Sequence, residues 1–158
     1  MQRSLITPQG HARLVQELKH AKEVLRPQVV QDIAEARAHG DISENSEYED
    51  AKERQGLLEG RIRLLESMLA TAEVHDISTV PKRDRIIFGS TVDLLNLDTD
   101  EEVTYQIVSD YESDVKEGRI SYTSPIGRAL IGKSSGEEVT FQTPNGDRSY
   151  EILDIHYR

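Results

Sequence analysis

Cysteine and tryptophan are both missing from this chain. Without thiols there is no disulfide framework, no thiolate zinc site and no cysteine nucleophile, and the composition suits a reducing compartment. Aromatic residues make up only 5% of the 158 residues, too few for the stacking platforms of a general single-strand binder. A basic excess is missing as well: 19 Lys and Arg stand against 29 Asp and Glu, a formal net charge of −10. Indiscriminate nucleic-acid binding draws on clustered cations, so any such contact must come from one locally basic surface. No apolar run approaches the roughly 18 residues of a membrane-spanning helix. Residues 1–10 hold a single arginine and no apolar core of a secretory signal. The expectation is a cytoplasmic protein with no membrane partner, of a length for one average domain or two small ones.

What is present divides near residue 75. Before it the pattern is helical. Thr7 is placed to cap a helix that Pro8 opens, where a missing N–H costs nothing. Leu14, Leu18, Ala21, Leu25, Val29, Ile33 and Ala36 then form an apolar stripe with gaps of 4, 3, 4, 4, 4 and 3. The irregular gaps fall beside Pro27, where a kink is expected. The second stripe is regular: Tyr48, Ala51, Gln55, Leu58, Ile62, Leu65, Leu69 and Ala72 alternate gaps of 3 and 4, the seam of a coiled coil. Gly56 and Gly60 each weaken that helix by about 1 kcal/mol relative to alanine and suggest a close backbone approach. Gly40 is a natural stop between the stripes, and so short a link makes the two helices antiparallel neighbours. A first helix over residues 8–39 would be about 48 Å long, with residues 40–45 at the tip of the hairpin.

From residue 86 the period is two. Val103, Tyr105 and Ile107 alternate with polar residues, as do Val139 and Phe141, and Tyr150 and Ile152. Pro144-Asn145-Gly146 is a hairpin turn signal, and Ser124-Pro125 opens a short helix that Gly132 can close. Residues 76–85 read as a linker. The fold class expected is α+β: an antiparallel coiled-coil hairpin over 1–75, then a small α+β domain over 86–158. Charge is uneven, with 10 basic and 13 acidic side chains in residues 1–75 against 9 and 16 in the remainder. A near-neutral hairpin leaves room for a basic stripe.

Candidate chemistry concentrates at the tip. Asp41 and Glu44 are three residues apart, so their carboxylates can converge. Mg²⁺ is often held by one or two carboxylates, with water and phosphate oxygens completing its shell. The same Asp-x-x-Glu pattern is also a capping box for the second helix, and the residues alone leave both readings open. Arg37 and Lys52 lie within about two turns of the tip. Opposed across a hairpin they could form a small basic patch for a phosphate backbone, held modest by Glu49, Asp50 and Glu53; the plainer reading is a solvated flank. His11, His20, His39, His75 and His156 show no paired spacing and are expected to be ordinary surface histidines.

Three stretches carry a resemblance. Ile33-Ala34-Glu35-Ala36-Arg37-Ala38-His39-Gly40-Asp41-Ile42-Ser43-Glu44-Asn45-Ser46-Glu47-Tyr48 closely resembles the tip region of Gre-type transcript cleavage factors. Ile87-Phe88-Gly89-Ser90-Thr91-Val92 and Ser124-Pro125-Ile126-Gly127-Arg128-Ala129-Leu130-Ile131-Gly132-Lys133 look like that family's C-terminal domain, and Thr143-Pro144-Asn145-Gly146 matches its hairpin turn. The resemblance implies a C-terminal domain similar to FKBP-type prolyl isomerases, docking on bacterial RNA polymerase while the coiled coil enters the secondary channel. It implies that Asp41 and Glu44 help hold a catalytic Mg²⁺ shared with the polymerase, with Ser43 orienting them, so that backtracked RNA is cut and its 3′ end restored. Arg37, Lys52, Asn45, Tyr48, Ser124 and Pro125 are the candidate contacts to RNA or polymerase, and by the resemblance Tyr48 braces the helix below the tip. The protein is then no autonomous enzyme, and a monomer is expected because the hairpin's seam is satisfied within one chain. The alternative is a relative that blocks the channel without promoting cleavage.

Overall fold

Residues 3–40 and 45–158 are described by the computed structural model. The chain's own packing divides it into two units, one of His11–Ala72 and one of Arg3–Gly10 with Glu73–Arg158.

The helical unit is built on an apolar stripe with one residue too many. Helix α1 (Pro8–His20) passes through a π-helical turn, Ala21–Leu25, into α2 (Arg26–Ala38). Two ideal α-turns from Ala21 would end near residue 28. The buried positions are Ala21 and Val29, followed by Ile33 and Ala36, so the π turn absorbs the extra residue. This sharpens one expectation and corrects another. The disturbance beside Pro27 is a π turn just ahead of it, which widens the backbone where the ring would meet the preceding turn. Leu25 leaves the seam and stands 42% exposed. In its place Arg26 turns toward the partner helix, α3 (Ser46–Thr71), and forks onto Glu59 at 2.8 and 2.9 Å.

Along α3 the buried residues are Ala51, Ile62 and Leu65, all on the seam read from the sequence. Interhelical pairs fix the antiparallel register: Lys22 with Glu66 at 3.3 Å, Arg61 with Glu17 at 2.8 Å and Arg54 with Asp32 at 3.1 Å. The Arg26 fork holds the Glu59 carboxyl below its usual range. A methyl group at Gly56 would meet nothing, so that glycine serves no close approach.

The second unit is a five-stranded sheet in the order β5-β4-β3-β7-β6. Its strands are β3 (Thr91–Asn96), β4 (Glu102–Val108), β5 (Arg119–Ser121), β6 (Glu138–Thr143) and β7 (Gly146–His156). Neighbours are antiparallel except β4 and β5. The Pro144-Asn145-Gly146 turn joins β6 to β7, with Gly146 at φ 110°. Helix α4 (Pro125–Leu130) closes the core, where Leu130 joins Ile86, Val92, Leu94, Ile107, Ile120, Val139, Ile152 and Ile155. Residues 76–85, read from sequence as a linker, are tied down in this unit. Ile77 is buried, the Lys82 ammonium reaches the Ile155 carbonyl and the Tyr157 ring, and Asp84 accepts from the Ser135 N–H at 3.0 Å.

A short strand that periodicity did not reveal, β1 (Ser4–Ile6), pairs with β2 (Ala72–Val74). Directly after β1, Thr7 caps α1 as its type suggests, its hydroxyl accepting from the Gly10 N–H at 3.1 Å. Glu112, only 4% exposed, completes this start. Its carboxylate accepts from the Thr7 hydroxyl, from the Thr7 N–H at 3.2 Å, and from the Ser109 N–H and hydroxyl at 3.3 and 2.9 Å. A buried carboxylate is tolerable when its lone pairs are filled in this way. Gly10 makes room for it, since a Cβ there would collide with the Glu112 carboxyl group.

Candidate tip site at the end of the hairpin

The last turn of α2 and the first of α3 approach each other around residues 41–44. His39 ends α2, its N–H bonding the Ala36 carbonyl at 3.2 Å. Gly40 follows at φ 134°, a left-handed value that favours glycine. Asp41, Ile42, Ser43 and Glu44 lie outside the described residues, so the Asp41/Glu44 pair and the orienting role of Ser43 remain expectations from sequence.

The described residues nonetheless correct the capping-box reading. Helix α3 begins at Ser46, and its N-cap is Asn45, whose side-chain oxygen accepts from the Tyr48 N–H at 3.1 Å. The same amide donates through Nδ2 to the Ala36 carbonyl at 2.5 Å, on the opposite arm. One side chain thus satisfies an orphan N–H of α3 and a terminal carbonyl of α2. The cap of α3 falls to Asn45 and not to Asp41. Asn45→Ala removes both bonds, and the hairpin is expected to lose about 1–2 kcal/mol. Hydrogen exchange at the Tyr48 amide checks this, since unchanged protection in the variant would mean that the clip contributes nothing.

Arg37, Tyr48 and Lys52 come together below the tip. The Arg37 guanidinium stands 5.6 Å from the Tyr48 ring centroid. Its hydrogen bond to the Tyr48 hydroxyl, aided by the charges of Arg37 and Lys52, pulls that hydroxyl below the usual phenol range. Lys52 donates to Gln55 at 3.2 Å. Arg26, Arg54, Arg61 and Lys22 are spent on carboxylates of the facing arm. Among the described residues Arg37 and Lys52 have no carboxylate partner, which leaves two cations flanking one phenol at the end of the rod. Such a group can hold a phosphate while the phenol ring fixes the guanidinium plane.

Ser124 and Pro125 lie in the sheet unit. The Ser124 hydroxyl accepts from the Gly127 N–H at 3.1 Å and donates to the Ser121 carbonyl at 2.6 Å, so it caps α4, with Pro125 in the first turn. Nearby, Asp110 accepts from the Ser121 and Thr123 hydroxyls, which hold its carboxyl below the usual range. Sequence reading missed that cluster, because the three residues are brought together by the parallel β4–β5 crossover.

Comparison with known proteins covers nearly the whole chain. Residues 4–74 match the family described as "Transcription elongation factor, N-terminal", and residues 80–157 match "Transcription elongation factor, GreA/GreB, C-term". The chain is 53% identical over 152 residues to transcription elongation factor GreA of Pseudomonas aeruginosa, covering 96% of each protein. It is 54% identical over 153 residues to that of Nitrosococcus oceani, covering 97% of each. Among solved structures, GreA factor homolog 1 of Thermus thermophilus is 29% identical over 98% of this chain and 99% of that one, with a TM-score of 0.44. With both of its parts matched in order, this chain belongs to the GreA/GreB family of transcription elongation factors.

Proposed function

We propose that this chain binds RNA polymerase, brings residues 41–44 to the polymerase active centre through the secondary channel, and stimulates the polymerase's own cleavage of backtracked RNA. The observation that carries this reading is the clip at the hairpin end. Asn45 caps α3 and ties it to α2, which fixes the ends of the two arms that carry residues 41–44.

The chain's residues divide the work by position. Asp41 and Glu44 supply negative charge within four residues of each other, and Ser43 between them orients them. Arg37 and Lys52 hold the RNA backbone beside the tip through its phosphates. Tyr48 keeps the Arg37 guanidinium in place. Two carboxylates without nitrogen or sulfur donors suit Mg²⁺, which keeps waters and takes substrate phosphate oxygens, and Asp41 and Glu44 would hold it jointly with the polymerase. When bound, that ion supplies charge stabilisation and water activation for phosphodiester hydrolysis. An incomplete donor set of this kind has no nuclease activity alone.

The test adds the wild-type chain to backtracked elongation complexes carrying labelled RNA and Mg²⁺. Shortening of the RNA, absent when the chain is incubated with free RNA, is the expected result. Tight binding with the RNA left intact would instead make the protein a channel blocker.

A further inference from the structure

Strands β3 and β7 set two aspartates face to face. Asp93 pairs with Asp154 across the ladder, and like charges directly opposite one another destabilise a strand pair. A bulge creates the arrangement. Asp93 faces Asp154 while Leu94 faces Ile152, so Leu153 is the extra residue and β7 is locally re-aimed. Ile152 and Ile155 both enter the core, and Leu153 and Asp154 are left exposed between them.

His156, opposite Thr91, brings its imidazole between the two carboxylates. Its Nε2 stands 2.9 Å from Asp93 Oδ2 and 3.6 Å from Asp154 Oδ2. The other oxygen of each carboxylate is already engaged. Asp93 Oδ1 accepts from the Thr104 hydroxyl at 2.7 Å, and Asp154 Oδ1 accepts from the Ile155 N–H at 2.9 Å. Each aspartate is thereby oriented with its free oxygen toward the same imidazole nitrogen, and the three ligand atoms lie within 4.8 Å of one another. Around one ion with bonds of about 2.0–2.2 Å, neighbouring ligand atoms stand roughly 3–3.5 Å apart. The imidazole-to-carboxylate separations fall close to that range without rearrangement.

We propose that Asp93, Asp154 and His156 form a surface site for a first-row divalent transition ion of the zinc class. One imidazole with two carboxylates is a borderline donor set; a hard Mg²⁺ or Ca²⁺ site is built from oxygen alone. The ion neutralises the facing aspartates and pins the end of β7 to β3. Three protein ligands leave a coordination position for water or an exogenous donor. This site is separate in sequence and chemistry from the tip carboxylates and does not depend on the cleavage reading.

The test is a titration of the full chain with Zn²⁺ by calorimetry and with Co²⁺ by visible absorption, at neutral pH. Wild type is expected to bind one ion per chain. His156→Gln and Asp154→Asn are each expected to weaken binding by about tenfold or more, and Asp41→Asn/Glu44→Gln is expected to leave it unchanged. Asp154 is solvent-exposed, so its variant keeps the test sound if His156→Gln fails to fold. Absence of stoichiometric binding, affinity unaffected in Asp154→Asn, or loss confined to the tip variant would each overturn the proposal, leaving His156 as a hydrogen-bond partner of Asp93.

Discussion

An Asp41→Asn/Glu44→Gln chain is expected to bind RNA polymerase like the wild type while cleavage of backtracked RNA falls on the order of 10²-fold or more. Removing one preorganised charge-stabilising group from an active site typically costs 10²–10³-fold in rate, and here two are removed. The amides keep shape and hydrogen-bonding capacity while losing the charge. The N-cap bond of α3, from the Tyr48 N–H to the Asn45 side chain, is retained in this variant, and helix content by circular dichroism checks that α3 is kept. The measurement is the rate of transcript shortening at saturating protein, with polymerase affinity read separately. A variant that cuts at the wild-type rate would remove the tip carboxylates from the mechanism, and one that no longer binds would make them docking residues.

The second large effect is structural. Gly127→Ala is expected to destabilise the sheet unit by about 3 kcal/mol, at the upper end of what overpacking costs. A methyl group at Gly127 would collide with the Ser121 carbonyl oxygen and stand 2.9 Å from Tyr122 Cα. Both obstacles are backbone, so no side-chain rotation relieves them. To accept the methyl group, α4 must lift away from the end of β5, taking with it the fully buried Leu130 and the Ser124 cap. Urea denaturation followed by a probe in the sheet unit measures the loss. Gly56→Ala, where a Cβ meets open space, is the matched control and is expected to stabilise α3 by about 0.5–1 kcal/mol. A Gly127→Ala midpoint equal to wild type would show that α4 shifts at no cost.

How far sequence reaches depends on the range of the contacts involved. The α3 seam was legible because one face of a regular helix is buried, and every residue placed on it from spacing is buried or half-buried. The β6–β7 turn was legible because Gly146 takes a φ that its type announces. The π turn leaves only a trace in the sequence, three consecutive gaps of four around Pro27, and a kink is the nearer inference from it. Strand β1 has three residues, too few for alternation to register. Glu112 looks like any surface acid until residue 7 is brought to it from 105 positions away.

At the tip, the acids could be read as a pattern, but the cap could not be assigned. Deciding between Asp41 and Asn45 needs the position of the Ala36 carbonyl, which belongs to the other arm. His156 looks like an ordinary surface histidine along the chain, where no paired histidine or ligand spacing marks it. Its partner Asp93 is 63 residues earlier and is set beside it by strand pairing. The useful signal was the spacing of three between Ile152 and Ile155, which breaks a period of two and marks the bulge.

The buried carboxylate at residue 112 also imposes an order on synthesis. As the chain leaves the ribosome, the pairs that close the His11–Ala72 hairpin are all present once its second arm has emerged. The Thr7 N–H and hydroxyl have to wait for an acceptor 105 residues downstream, a delay on the order of ten seconds at roughly 5–20 residues per second. Until then the earliest residues to be made lack their final partner, and the start of α1 stays incomplete after the hairpin that follows it can close.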